Sequence, residues 1–179
     1  MDAFESVVAT LLERKGYWTR IGFKVDLTRQ ERRQIGRPTS PRWEIDIIAY
    51  KGSTNDLLSI ECKSHLNSPG VRFTAFDGSN EKQAKKFKLF NDKTLREVVL
   101  NRLSIQLMDA GFCAIPPKIT LGLVAGKIYG DANPLREHFE KNGWWLRDIC
   151  WLKEELKELS KSGYDNTIVA IVSKLILNK

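Results

Sequence analysis

Two short apolar runs, RWEIDIIAY at 42–50 and LLSIECKSH at 57–65, each carry carboxylates on a background that otherwise reads as protein interior. A strand alternates its side chains between two faces, so Glu44, Asp46 and Ile48 share one side of the first run, and Ser59, Glu61 and Lys63 share one side of the second. Pairing the runs brings Asp46 beside Glu61 and Lys63. Two carboxylates converging on one point suit a hard, oxygen-seeking cation, Mg²⁺ or Mn²⁺, and an ammonium two residues along meets the negative charge of a phosphate. That is the chemistry of phosphodiester hydrolysis. Charges at period two also describe the wet face of any half-buried antiparallel strand. Both runs, however, are apolar enough to be central in a sheet, where an Asp, a Glu and a Lys are costly without partners, and the cost favours the catalytic reading.

The surrounding elements must hold these groups together. Phe4, Val7, Val8, Leu11 and Leu12 recur at helical spacing, and Glu5 projects about 20° from Leu12 at about 100° per residue, which sets an acid at the edge of an apolar stripe. The metal site or Lys63 would supply its partner. Residues 19–27 alternate Ile21, Phe23, Val25 and Leu27 against Arg20, Lys24 and Asp26, the pattern of a strand with one wet face. NSPGVRFTAFDGSN is a loop directly after the site, placed to carry residues over a substrate. Residues 80–110 read as one or two helices stopped by Gly111, and ITLGLVAG as a buried strand. A helix near 133–142, a strand near 144–150 and two helical segments separated by SKSGYDN complete the chain.

A length of 179 residues with 42% hydrophobic content is enough for one compact domain with a full core. The longest apolar stretch, NTIVAIVSKLILNK, is broken by Ser173 and Lys174 and is too short to span a bilayer, so neither membrane insertion nor secretion is expected. Cys62, Cys113 and Cys150 form no disulfide set and no zinc spacing. Each lies in an apolar run as an ordinary buried thiol, which suits a reducing cytoplasm.

A net charge of +7 points to an anionic partner. Its distribution narrows the choice. Arg29, Arg32, Arg33, Arg37 and Arg42 crowd the connection before the Asp46 strand, where planar guanidinium forks would grip a nucleic-acid backbone, and Lys82, Lys85 and Lys86 form a second basic cluster after the Glu61 strand. His65 lies on the face of Lys63, where it could touch a phosphate or shuttle a proton. Gln83 is a weaker candidate. His138 reads as structural, and packing explains Trp144, Trp145 and Trp151 better than base stacking.

With Asp46 on one strand and Glu61-Cys62-Lys63 on the next, the chain resembles the PD-(D/E)XK nuclease superfamily. AFESVVATLLERKGYWTR is similar to the opening helix of its archaeal Holliday-junction resolvase and Mrr-type branch, which makes Glu5 the helix-borne acid. The likeness covers about residues 3–125 of a single domain spanning 1–179, with 126–179 as a C-terminal α/β extension. Ile45 stands where the signature has Pro, and RRQIGRPTSPRW replaces the Gly-rich stretch of resolvases, which leaves the subfamily open. The resemblance implies a restriction-endonuclease-like mixed β-sheet flanked by helices, with an α-β-β-β-α-β core and C-terminal helical additions. It also implies a Mg²⁺-dependent deoxyribonuclease, an endonuclease of DNA restriction or defence, repair or recombination.

In that reading Asp46, Glu61 and the backbone carbonyl of Cys62 hold the cation. Lys63 positions or deprotonates the attacking water and stabilises negative charge, while Glu5 contacts the metal through water or holds a second ion. The alternative is a nuclease-fold DNA-binding or scaffold subunit whose cleavage depends on a partner. No separate recognition domain is evident, so target choice would fall to a homodimer or a partner protein.

Overall fold

The computed structural model describes residues 2–177. Asp2 starts the first helix: its carboxylate accepts the Phe4 N–H at 2.7 Å, satisfying one of the orphan donors of a helix start. Helix α1, Ala3–Glu13, then buries Val8, Ala9, Leu11 and Leu12. After it come β1 (Trp18–Asp26), α2 (Arg29–Gln34), β2 (Arg42–Lys51) and β3 (Asp56–Lys63). The middle of the chain forms a short 3₁₀ turn at Phe73–Ala75, then α3 (Glu81–Ala84), α4 (Lys88–Asn91), α5 (Lys93–Asp109) and β4 (Lys118–Ala125). The chain closes with α6 (Asn133–Lys141), β5 (Trp145–Arg147), α7 (Ile149–Ser160) and α8 (Ile168–Leu177).

The five strands form one mixed sheet in the order β1-β2-β3-β4-β5, antiparallel across the first three and parallel across the last three. Helices cover both faces. On one side, Leu57, Leu121 and Leu123 pack under Val98, Val99 and Leu103 of α5 and Leu135 and Phe139 of α6. On the other, Leu58, Ile60 and Val124 meet Val8 and Leu12 of α1, Leu152 and Leu159 of α7 and Ala170 of α8. A strand covered on both faces reads as a continuous apolar run, which is why β3 and β4 show little alternation. Ile47, Ile60 and Leu123, fully out of water, contribute about 1.5–3 kcal/mol each. Residues beyond 125 add a fifth strand and complete both helical layers.

Three local readings change. The arginine-rich connection contains α2, set by a capping box in which Thr28 Oγ1 accepts the Glu31 N–H at 3.2 Å and Glu31 accepts the Thr28 N–H at 2.7 Å. Glu31 also holds Arg102 of α5 at 2.8 Å, pinning α2 in place. The stretch 80–110 resolves into two single turns and one long helix, which Asp92 begins by accepting the Leu95 N–H at 2.9 Å. The strand expected near 144–150 ends at Arg147, because Asp148 accepts the Cys150 N–H at 3.0 Å and starts α7. Cys150 therefore lies on an exposed helical turn, while Cys62 and Cys113 are buried. His138 sits among the rings of Phe73, Phe76, Phe139 and Trp144. Among the described residues no helix is long and apolar enough to cross a membrane.

Candidate active site

The β2–β3 ladder runs from Lys51↔Asp56 to Ile47↔Ile60 and stops there. One step further, the register sets Asp46 opposite Glu61. Like charges directly opposed on neighbouring strands repel, so the place where pairing ends is the place where the two carboxylates meet. The Cys62 N–H donates to Asp46 Oδ2 at 2.7 Å, so a side chain replaces backbone at the end of the ladder. Lys63 Nζ lies 2.5 Å from Glu61 Oε1 and 3.9 Å from Asp46 Oδ2. One ammonium thus serves two carboxylates.

Glu5 arrives from α1, in the opposite helical layer. It shares a cleft of about 230 Å³ with Phe4, Asp46, Cys62, Lys63 and His65. A hollow of about 970 Å³ between Trp18, Tyr50 and Phe112 is larger but holds no converging carboxylates, so chemistry rather than size selects the smaller one. Burial and then the Asp46 charge hold the Glu5 carboxyl above its ordinary range. Burial and the Asp46 charge likewise raise Glu61, outweighing its bond to Lys63. Burial pulls Lys63 the other way, but the Glu61 contact and then the Asp46 charge prevail and keep it an ammonium. Glu5, Asp46 and Glu61 thus crowd the Lys63 ammonium.

The Cys62 side chain turns away from this cleft into the core beneath α1. Burial, and next the Asp46 charge, push its thiol well above the usual range, so only its backbone is available to the site.

The basic residues separate into two sets. β1 ends and β2 begins at the end of the sheet where β3 delivers Lys63, so the arginine connection lies at the site's end. Within it, Arg42 pairs with Asp26 at 2.8 Å, Arg37 stacks 5.0 Å from the Trp43 ring centre, and an Arg32 N–H donates to the Pro38 carbonyl at 2.8 Å. Arg29 and Arg33 are exposed. Lys82, Lys85 and Lys86 are exposed around the single turn of α3, and Gln83 beside them is half-buried.

Ser68 and Gly126 carry no signature in the sequence that marks them for the site. Ser68 Oγ lies 2.7 Å from His65 Nδ1. Gly126 donates its N–H to the Lys63 carbonyl at 2.9 Å, and a Cβ there would stand 2.4 Å from the Ser64 oxygen. A glycine just past an apolar strand is the one available hint of such close approach.

Comparison of the chain with family models, curated proteins and solved structures found no match. Among the described residues no group of three or more His, Cys, Asp and Glu side chains is gathered to hold a metal ion. The donors at Asp46 and Glu61 nonetheless fit a hard divalent cation: they are oxygen only, they repel one another, and the Lys63 ammonium is set against both.

Proposed function

We propose that the chain is a metal-dependent nuclease that hydrolyses DNA phosphodiester bonds, with the restriction-endonuclease-like fold and a role in DNA restriction or defence, repair or recombination. The observation that carries this is the opposition of Asp46 and Glu61 where the β2–β3 ladder ends, with Lys63 reaching both. With the short helices α2, α3 and α4 set aside, the order α1, β1–β3, α5, β4 agrees with the α-β-β-β-α-β core that the resemblance implies.

Asp46, Glu61 and the Cys62 carbonyl would hold Mg²⁺ or Mn²⁺, which when bound polarises the phosphate and lowers the pKa of water. Lys63 carries its proton at neutral pH, so it acts as a donor that stabilises the charge growing on the phosphoryl oxygens rather than as a base. Glu5 adds a third carboxylate across the cleft, for a water-held contact or a second ion. Arg29 and Arg33, with the lysines around α3, offer exposed charge to the DNA backbone. DNA rather than RNA follows from the resemblance, and a cytoplasmic setting is in keeping with three free thiols.

The test is cleavage of linear, circular, branched and single-stranded DNA with Mg²⁺ or Mn²⁺, by wild type and by Asp46→Asn. The variant keeps an oxygen for the Cys62 N–H and so preserves the fold. Cutting by wild type alone is expected. No cutting of any DNA, or equal cutting by the variant, rejects the reading.

A further inference from the structure

His65 and Asn55 are the two non-glycine residues, among those described, with positive φ, at +47° and +54°. Asn55 turns the β2–β3 hairpin, accepting from Tyr50 Oη and donating to the Pro116 carbonyl, a conformation asparagine tolerates. His65 sits in no such hairpin. Its backbone is held on both sides: Gly126 presses against Ser64 and bonds Lys63, and the Ser68 N–H donates to the His65 carbonyl at 3.2 Å. Strain persists only where the surroundings impose it, and it gathers at functional positions. A glycine would meet this φ without cost; histidine, more tolerant of it than most residues, still carries some strain there, which a contact made by its ring would offset.

The ring lines the cleft with Glu5, Asp46 and Lys63. Ser68 Oγ occupies Nδ1, which leaves Nε2 for a ligand. Burial, then the charges of Lys63 and Lys86, hold the imidazole below its ordinary range, so the neutral ring offers one N–H. Where the Ser68 hydroxyl is the donor in its contact with Nδ1, that N–H stands on Nε2.

We propose that His65 is a substrate-contacting residue whose Nε2–H donates to a phosphate oxygen of the nucleic-acid backbone, and that Ser68 is a positioning residue fixing its tautomer. This rests on the nuclease reading, and the two can fail separately.

The chain has two histidines, so His138→Gln assigns the ring signals, which are then followed by NMR as a short DNA duplex is added without divalent cation. The His65 signals should move and those of His138 should not. His65→Gly should keep or raise its melting temperature, bind duplex more weakly and cleave at least about tenfold more slowly. His65→Asn, which tolerates the same φ and retains an N–H donor, should recover part of that rate, and Ser68→Ala should fall between wild type and His65→Gly. A bound duplex that leaves His65 unmoved overturns the proposal, as does wild-type cleavage by His65→Gly. Direct coordination by Nε2, read as loss of its proton and a large Nε2 shift when Mg²⁺ alone is added, would make the ring a cation ligand and also overturn it. If the duplex moves His65 while no cation supports cleavage, the phosphate contact stands and the nuclease reading falls. If neither duplex, branched nor single-stranded DNA binds, with or without divalent cation, both fall.

Discussion

Gly22 stands opposite Asp46 on the neighbouring strand, and pairing lapses between them. Ile21↔Ile47 and Phe23↔Ile45 pair on either side, while Gly22 adopts φ +62°. Since the β2–β3 ladder also ends beside Asp46, this residue has no regular ladder neighbour on either side. A left-handed residue inside a strand needs glycine, and this one stands at the step beside Asp46 where β1 and β2 do not pair. Gly22→Ala should therefore cost about 1–2 kcal/mol in denaturant unfolding and reduce cleavage as well. Gly111, which also has positive φ but lies at the end of α5, is the control: Gly111→Ala should cost stability without touching the rate. Equal activity losses from both would remove the special role of Gly22.

Lys63→Met keeps the stem and removes the charge. Cleavage should fall by on the order of 10² at nearly unchanged DNA affinity, as when one preorganised donor is removed. Glu61 would also be without the ammonium that lowers it, so the pH needed for half-maximal Mg²⁺ binding should move upward in calorimetric titrations. A variant that only binds DNA more weakly makes Lys63 a phosphate anchor.

Glu5 and Glu61 are held above the ordinary carboxylate value of 4.5. A folded state that binds its protons more tightly than the unfolded chain loses stability as pH rises from that value through the raised one, and keeps it below. Lys63 runs at the alkaline end: its contribution is complete below 10.5 and is lost as pH rises through its raised value. Glu31 and Asp148 are held low and act oppositely in acid, so the effect is read as the difference between wild type and Glu61→Gln. In EDTA that variant should gain on wild type as pH climbs above the ordinary carboxylate range, and Mg²⁺ should close the gap. A difference flat with pH contradicts the assignment of the strained acids.

Arg29→Ala with Arg33→Ala should weaken binding to all duplex sequences alike and flatten the slope of log K against log salt by about 0.9 for each phosphate the variant no longer neutralises. Arg32→Ala should mainly cost stability, since its guanidinium supports the Pro38 carbonyl. An unchanged salt slope in the double variant means these arginines are plain surface, and weakening for one sequence alone means they read bases.

The strands bearing Asp46, Glu61 and Lys63 were legible because apolar residues frame them and their side chains alternate. Glu5 was placed by helical arithmetic. What escaped depends on register and on caps. The Thr28–Glu31 capping box was present in the sequence, but five arginines suggested a loop and hid the start of α2. Trp144 to Cys150 read as a strand because of its rings, whereas Asp148, an ordinary N-cap residue, ends the strand and begins α7. Gly22 and His65 were unreadable as left-handed because nothing local demands that conformation. Each is set by what lies beside it in space.

Cys62 stands between two residues of the proposed chemistry, yet its thiol faces the core with its pKa driven up, so alkylating reagents and mild oxidants have little purchase there. Cys113 is also buried, and Cys150 is the exposed thiol on the first turn of α7. The chain therefore carries a natural labelling point that is not among the residues lining the cleft. A maleimide dye should attach at Cys150 under native conditions and leave cleavage intact, so the protein can be followed on DNA by fluorescence without an engineered cysteine.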